Sequence, residues 1–388
     1  ARHAAWRPSR SALSLALVAF ACFVIVSVGA FRKDPVGLSL DRASGTGGYA
    51  LMAESVAPLM HDPNRPAGRE ELGLPSSDPL LDAARITRFR LRPGDDASCL
   101  TLYRPLHPRI VAPEAVFLDE PRFAFAASLA ETPEERANPW RLLARAPEDG
   151  TVPAIVDQTT LTYVFHAGLG DEIHLPAGGG EVLRLRVVGV LADAVFQSEI
   201  VIGEAHFVRL FPRIDGYRIW MIETPEETAA DLAALVEARL GDLGVDVVDT
   251  RARLAAYHRV ENTYLSTFQA LGGLGLLLGT LGLGAVLARN VLERRRELGL
   301  LGAVGFTPAH LRTLVLAESA VMVWGGMALG AGAAALAIAP AIAERGQALP
   351  WVSLAWLLAG VGLAGMLAAL GAVRMVTATA TVVALKGE

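Results

Sequence analysis

Four stretches of this chain carry almost no charge. Ala12–Phe31, Tyr264–Ala288 and Trp351–Val373 contain none, and Thr313–Pro340 contains one, Glu318. Each reaches the ~20 apolar residues that an α-helix needs to cross a ~30 Å hydrocarbon core. Buried helices of a soluble protein are the alternative. Three of the four runs crowd into the last third of the chain, which favours four membrane spans.

Between the first two runs the pattern changes to short alternations broken by turn residues. "RITRFRLRPGDDASCLTLY" predicts two strands around a turn at Pro93–Asp96. "DEIHLPAGGGEVLRLRVVGVL" predicts a hairpin around Gly178–Gly180, and "SEIVIG" a further short strand. Thr224 as N-cap, Pro225 at the first helical position and Glu227 closing a capping box predict a helix. Leu232, Leu235, Val236 and Leu240 give that helix its apolar face, and Gly241 ends it. "VDVVDT" then returns to strand. From Arg251 a helical stretch runs without a break into the second apolar run, so a rigid rod is expected to link the membrane part to the domain before it.

The arginines orient the chain. Arg2, Arg7 and Arg10 precede the first run, Arg289, Arg294, Arg295, Arg296 and Arg312 lie between the second and third, and Arg374 and Lys386 follow the last. The excess of basic residues on the cytoplasmic side puts all three segments inside the cell under one topology. The expected parts are a leader (1–11), a first span (12–31), an outer domain of two lobes (32–262), a second span (263–288), a cytoplasmic segment (289–312), a third span (313–340), a short outer loop (341–350), a fourth span (351–373) and a tail (374–388). The expected fold class is therefore a membrane protein: four transmembrane α-helices with a large α+β extracytoplasmic domain inserted between the first and second. A cleaved signal peptide ending at "VGA" is the rival for the first run, which exceeds the roughly 7–15 apolar residues typical of such peptides. The first residue is Ala rather than Met, so a processed chain or a piece of a longer one is expected.

Candidate chemistry is sparse. Cys22 falls in the first span and Cys99 in the outer domain, so no disulfide between them is expected. There is no G-x-S-x-G, H-E-x-x-H, calcium-loop or Walker A pattern, and no catalytic, metal or directly bound cofactor site is expected. His166, Asp171, Glu172 and His174 are the densest metal-like group, but they flank a strand start, where successive residues face opposite sides. "SGTGGYA", Ser44–Ala50, lacks the Lys of a phosphate loop and reads as the turn that carries the chain off the membrane.

Small residues recur at four-residue spacing in the apolar runs: Gly275 and Gly279, Gly326 and Gly330, then Gly360, Ala364 and Ala368. Such positions let helix backbones approach closely in lipid, within one chain or between two. Glu318 lies about 9 Å along the helix from Arg312 by rise per residue, at headgroup depth, and reads as solvated or paired.

The segment "RNVLERRRELGLLGAVGFTP", Arg289–Pro308, poses the sharpest question. Burying its three adjacent arginines at mid-bilayer would cost about 8–10 kcal/mol, so they stay in the cytoplasm. Gly305 ends one helix, and Thr307 with Pro308 starts another. The result is an elbow: a charged stalk, an apolar turn from Leu298 to Phe306, and a return into the membrane. Charge explains the arginines but not the apolar turn, which is a candidate docking patch.

These residues carry a resemblance. A span followed by "LERRRELGLLGAVGFTPAHLRTLVLAES" resembles the signature of FtsX-like and MacB-like ABC transporter permeases of the type VII class, and "GLGDEIHL…LRVVGVLAD" is similar to their outer-domain β region. The resemblance implies a non-catalytic membrane subunit whose coupling helix docks on a separate ABC ATPase subunit, which uses the ATP. That role maps onto Glu293, Arg294, Arg295, Arg296, Glu297, Leu298, Leu301, Gly305 and Phe306. Gly302 stands where such permeases commonly carry a basic residue, which touches one ATPase contact. A second permease copy or homologous half, membrane lipid, and a periplasmic adaptor, lipoprotein or hydrolase are the further expected partners; nucleic acid is not. Two functions follow for a chain in the inner membrane: export or extraction of a lipophilic or peptide-like cargo, or ATP-driven regulation of a cell-wall hydrolase without transport. A membrane-anchored enzyme is the third and lacks a catalytic constellation.

Overall fold

The computed structural model describes residues 8–30, 39–95, 105, 107–147, 149–178, 181–197, 199–293, 307–345 and 351–385. The chain divides into two units, one of Ala1–Lys33 with Glu261–Glu388 and one of Asp34–Val260.

Among the described residues, the unit Asp34–Val260 is built on a mixed sheet of ten strands. They are β1 (Leu51–Leu59), β2 (Arg85–Arg92), β3 (Arg109–Pro113), β4 (Phe125–Ser128), β5 (Val152–Asp157), β6 (Glu172–Gly178), β7 (Glu181–Leu191), β8 (Glu199–Ile202), β9 (Tyr217–Glu223) and β10 (Asp246–Asp249). Their order is β10-β1-β9-β2-β3-β8-β5-β7-β4, with β6 also on β7. β3 runs parallel to β8 and β5 to β7, and the other pairs are antiparallel. β7 is long enough for two partners on one edge: Glu181–Arg186 pairs with β6, and Gly189–Leu191 with β4.

Most of the local pattern reading matches. The β6–β7 hairpin brings Gly178 opposite Glu181, β8 covers the "EIVI" segment, and β2 ends at Arg92 before Pro93. The strand expected just after Pro93–Asp96 falls on 96–104, outside the described residues, and the neighbour of β2 is β3. In β2 the alternation is amphipathic in an unusual way. Phe89 and Leu91 are buried, while Arg88 and Arg90 stack on the Tyr217 ring at 4.5 and 4.8 Å and pair with Glu114 and Glu204.

The short helices of this unit include α2 (Pro66–Glu71), α3 (Pro79–Asp82), α4 (Pro133–Ala137), α5 (Gln158–Thr160), α6 (Glu204–Leu210) and α7 (Glu226–Leu240). The expected cap of α7 needs correction. Pro225, not Thr224, is the N-cap, with no side-chain cap bond, because the Thr224 hydroxyl lies 3.2 Å from that of Thr228. The capping box forms instead at the identical "TPEE" of α4, where the Thr132 side chain and Glu135 exchange bonds with the backbone. Gly241 does end α7, but in right-handed geometry; the left-handed residue is Gly244, φ 66°, after a 3-10 turn.

Three apolar clusters hold the sheet. One centres on Trp140, Phe117, Phe123, Phe196 and Phe89; a second on Ile173, Leu175, Leu185 and Phe207; and the third packs Trp220 against Leu232, Val236 and Leu240 of α7.

The second unit is helical: α1 (Pro8–Ala30), the greater part of α8 (Thr250–Glu293), α9 (Pro308–Arg345) and α10 (Trp351–Leu385). Among the described residues one stretch, Ala320–Pro340 in α9, is long and apolar enough to cross a membrane, while Val18–Ala30 and Leu354–Leu367 are shorter apolar helices. Gly326 and Gly330 turn toward α1. A Cβ at Gly326 would meet Val18 Cβ at 2.9 Å, and one at Gly330 would overlap the Ala19 carbonyl oxygen, so only glycine permits this approach. Gly360 has open space around it, and Ala364 is half-buried. Gly275, Gly279 and Ala368 lie in α8 and α10, but their surroundings fall outside what is described. The pattern did not single out Gly272, which faces Val24 and Ile25 of α1, or Gly365, which faces Val323 of α9.

Candidate functional site

The foot of α8, Thr250–His258, is where buried charge concentrates. The helix starts directly after β10, and Asp249 Oδ1 accepts hydrogen bonds from the backbone N–H of Arg251 and Ala252 at 2.7 and 3.2 Å. A carboxylate there satisfies free helix N–H groups and complements the positive end of the helix dipole. Thr250, Leu254, Tyr257 and His258 then fall on one helical stripe and are buried, with Leu254 and Tyr257 joining the aromatic cluster of the sheet.

Arg253 lies along the same face. Its Nη2 donates to Glu199 Oε1 at 3.1 Å and its Nε to the Val195 carbonyl at 3.3 Å. Glu199, at the start of β8, is 0% exposed. Arg109 of β3 reaches the same Glu199 oxygen at 3.5 Å and bonds Glu54 of β1 at 2.7 Å. Acid and base thus alternate from β1 through β3 and β8 to α8. Burial works against the charge of Arg253, but the Glu199 carboxylate outweighs it and holds the guanidinium above its ordinary value. One helical turn on, His258 Nε2 lies 3.0 Å from Asp193 Oδ2.

The chain that follows α1 reaches the same place. The Ser44–Ala50 segment forms turns, with Gly47 and Gly48 at φ 63° and 82°. The Thr250 hydroxyl donates to the Tyr49 carbonyl and the Thr250 N–H to the Ala50 carbonyl at 3.0 Å. A fully buried arginine, Arg122, donates to the Gly47 carbonyl at 2.9 Å, lies 4.4 Å from the Tyr49 ring centre, and pairs with Glu120 and Glu223. Burial pushes the Tyr49 hydroxyl up to about 12. Burial would also raise Glu223, but hydrogen bonds and charge from Arg122 and Arg42 outweigh it and hold the carboxyl below its ordinary value. Chemically, this arrangement fixes position: each charge is answered by an opposite one on a different element.

The residues expected to matter from sequence are elsewhere. Glu293 is the last residue of α8, and Arg294, Arg295, Arg296, Glu297, Leu298, Leu301, Gly305 and Phe306 lie outside the described residues. The metal-like group is dispersed among local bonds. His166 sits left-handed at φ 50° with Nδ1 3.2 Å from the Thr162 carbonyl, Asp171 accepts from Gly168 N–H at 2.8 Å, and His174 meets Glu172 at 3.1 Å. Among the described residues no group of three or more His, Cys, Asp or Glu side chains is placed to hold a metal ion. An open cavity of about 350 Å³ lies beside Leu129, Glu131, Arg145, Pro153, Arg186 and Val188, and Arg145 in its wall is already held by both oxygens of Glu135. Sequence reading missed the anchor. A Glu opening a short strand and an Arg in an amphipathic helix look solvated, and the only local sign was the apolar stripe from Leu254 to Tyr257 on an otherwise polar helix start.

Two stability outcomes follow. Arg253→Met strips Glu199 of one of its two cations and lowers the unfolding free energy of the Asp34–Val260 unit by about 3 kcal/mol, read by pulse proteolysis in urea. The double variant E199L/R253M recovers most of that loss, since Arg109 keeps Glu54; a double variant no better than the single refutes the ion-pair account. The second outcome concerns pH. Because the folded pKa of Glu223 is depressed, its stabilisation is complete above the ordinary value of 4.5 and is lost as pH falls through the folded value. Urea midpoints therefore drop below pH 4.5, and Glu223→Gln flattens that drop.

Comparison with known proteins bears on the other end of the chain. Residues 270–380 match the family described as FtsX-like permease C-terminal. The macrolide export ATP-binding/permease protein MacB of Hyphomonas neptunium is 30% identical over 134 residues, covering 34% of this chain and 20% of that protein. MacB of Rhodospirillum rubrum is 31% identical over 121 residues, covering 30% and 18%. The matched stretch thus spans about a fifth of the length of these curated relatives. Among solved structures, the periplasmic region of MacB from Actinobacillus actinomycetemcomitans aligns with 56% of this chain and 95% of its own at 10% identity and a TM-score of 0.29. The extracellular domain of the ABC-type transporter YknZ from Gram-positive bacteria aligns with 52% and 100% at 12% identity and 0.27. The chain is thus similar to FtsX-like permeases over residues 270–380 and to MacB over 30–34% of its length.

Proposed function

We propose that this chain is the permease subunit of an ABC transporter in the inner membrane, with its 34–260 unit outside the cytoplasm. A separate ABC ATPase docks on the elbow after α8, and its ATP hydrolysis moves the outer domain. The observation that carries this reading is the match of residues 270–380 to the FtsX-like permease family, which spans the triple-arginine elbow. Three adjacent arginines belong on the ATP-containing side of a bilayer, and an apolar Leu298–Phe306 segment beside them offers a groove-binding surface. The cargo we propose is lipophilic or peptide-like, supported by the macrolide export named for both MacB relatives. α8 supports the mechanical part: it is helical without interruption from Thr250 to Glu293, so the ion-paired foot and the residue that precedes the triple arginine are two ends of one element.

Two measurements test this. Co-expressed with its ATPase, the wild-type chain co-purifies as a complex, and Leu298→Asp with Leu301→Asp lowers recovery of the ATPase at least about tenfold; an intact complex rejects the docking assignment. In a background with Cys22→Ala and Cys99→Ala, a thiol-reactive, membrane-impermeant label added outside reacts with Asp231→Cys on α7 and not with Arg295→Cys. Labelling of both from one side sinks the topology.

A further inference from the structure

The outer domain is joined to the rest of the chain at two points, the segment after α1 and the foot of α8. Both run into one short loop, Asp193–Gln197, between β7 and β8. On one side the Val195 N–H donates to the Gly45 carbonyl at 3.0 Å. Gly45 is so close to the loop that a Cβ there would overlap the Asp193 carbonyl oxygen and meet Leu254 Cδ2 of α8 at 2.9 Å. On the other side the Val195 carbonyl accepts from Arg253 Nε, and the Asp193 carboxylate takes His258. Beneath, the loop is pinned to the end of β5: the Ala194 N–H donates to Asp157 Oδ2 at 2.9 Å, and the Thr160 hydroxyl donates to the Gln197 carbonyl. Asp193 itself sits at φ 57°, a left-handed conformation that Asp adopts more readily than most non-glycine residues. Thr250 closes the triangle by bonding the Tyr49 and Ala50 carbonyls directly.

We infer that the Asp193–Gln197 loop is a conformational lock that makes the two connections one mechanical unit. The Ser44–Ala50 segment and the Thr250–His258 foot release and re-engage together, and never singly. The shared contacts couple them. Gly45 gives up the Val195 N–H bond and uncovers Leu254 if it withdraws, and the foot gives up the Val195 carbonyl, Asp193 and the Tyr49 and Ala50 carbonyls if it withdraws, so each segment loses contacts shared with the other. Its use rests on the ABC permease reading: a pull arriving through either connection reaches β5 through the same loop, so the domain moves as one body.

Hydrogen exchange on the full-length chain in detergent micelles tests the lock, comparing wild type with Gly45→Ala and Thr250→Val. Gly45→Ala forces the backbones apart, and amides of residues 44–50 and 250–258 exchange at least about tenfold faster, together. Thr250→Val removes one hydroxyl bond and raises both segments by roughly three- to tenfold. In both variants the β6–β7 hairpin keeps wild-type protection. A rise confined to one segment, no change in either, or an equal rise in the hairpin overturns the lock. If Gly45→Ala does not fold, Thr250→Val decides alone by the same outcomes. No ATPase or cargo enters the measurement, so a failed lock is distinguishable from a failed ABC assignment.

Discussion

A carboxylate with no exposed surface is among the least tolerable groups in a protein interior, since removing a charge from water costs several kcal/mol even after relaxation. Glu199 is such a group, and the Asp34–Val260 unit is arranged around answering it. Arg109 approaches from β3 and Arg253 from α8, and Arg109 in turn engages Glu54 of β1. Strand order and the seating of α8 both have to be correct before that charge is neutral. A buried ion chain adds little net stability over apolar packing, but it penalises any other seating of the helix. The foot of α8 is therefore specified, where apolar contact through Leu254 and Tyr257 alone would tolerate a slip along the sheet.

Another buried charge, Arg122, does the same for the segment after α1. Its guanidinium is spent on a backbone carbonyl, an aromatic face and two carboxylates, so residues 47–49 are held by a group that has nowhere else to go. The aromatic cluster behind it, with Trp140 against Phe117 at 4.8 Å and against Phe123 at 5.9 Å, supplies the rigid wall. Directional polar contacts fix the two joints, and non-directional apolar packing supports them.

Much of the local architecture was legible in the chain. The β6–β7 hairpin, β8, α7, β10 and the unbroken α8 follow from alternation, turn glycines and helical spacing, all set by interactions among residues a few positions apart. The two "TPEE" segments mark the limit of that reading. Thr132 closes a capping box and Thr224 does not, because the Thr224 hydroxyl finds Thr228 instead. The same four letters give two outcomes.

By itself, then, the sequence determined the apolar run lengths, the clustering of the arginines between them, the alternation of the strands and the family likeness of residues 270–380. Each is a property of neighbouring residues or of their sum. Only the tertiary structure decided that Glu199 is a buried charge, that Arg253 answers it, and that Gly45 must be glycine to pass Asp193. Those partners are far apart in the chain and meet only once strand register and the path of α8 are set. Electrostatic and steric complementarity at that range leaves no periodic trace in the order of residues.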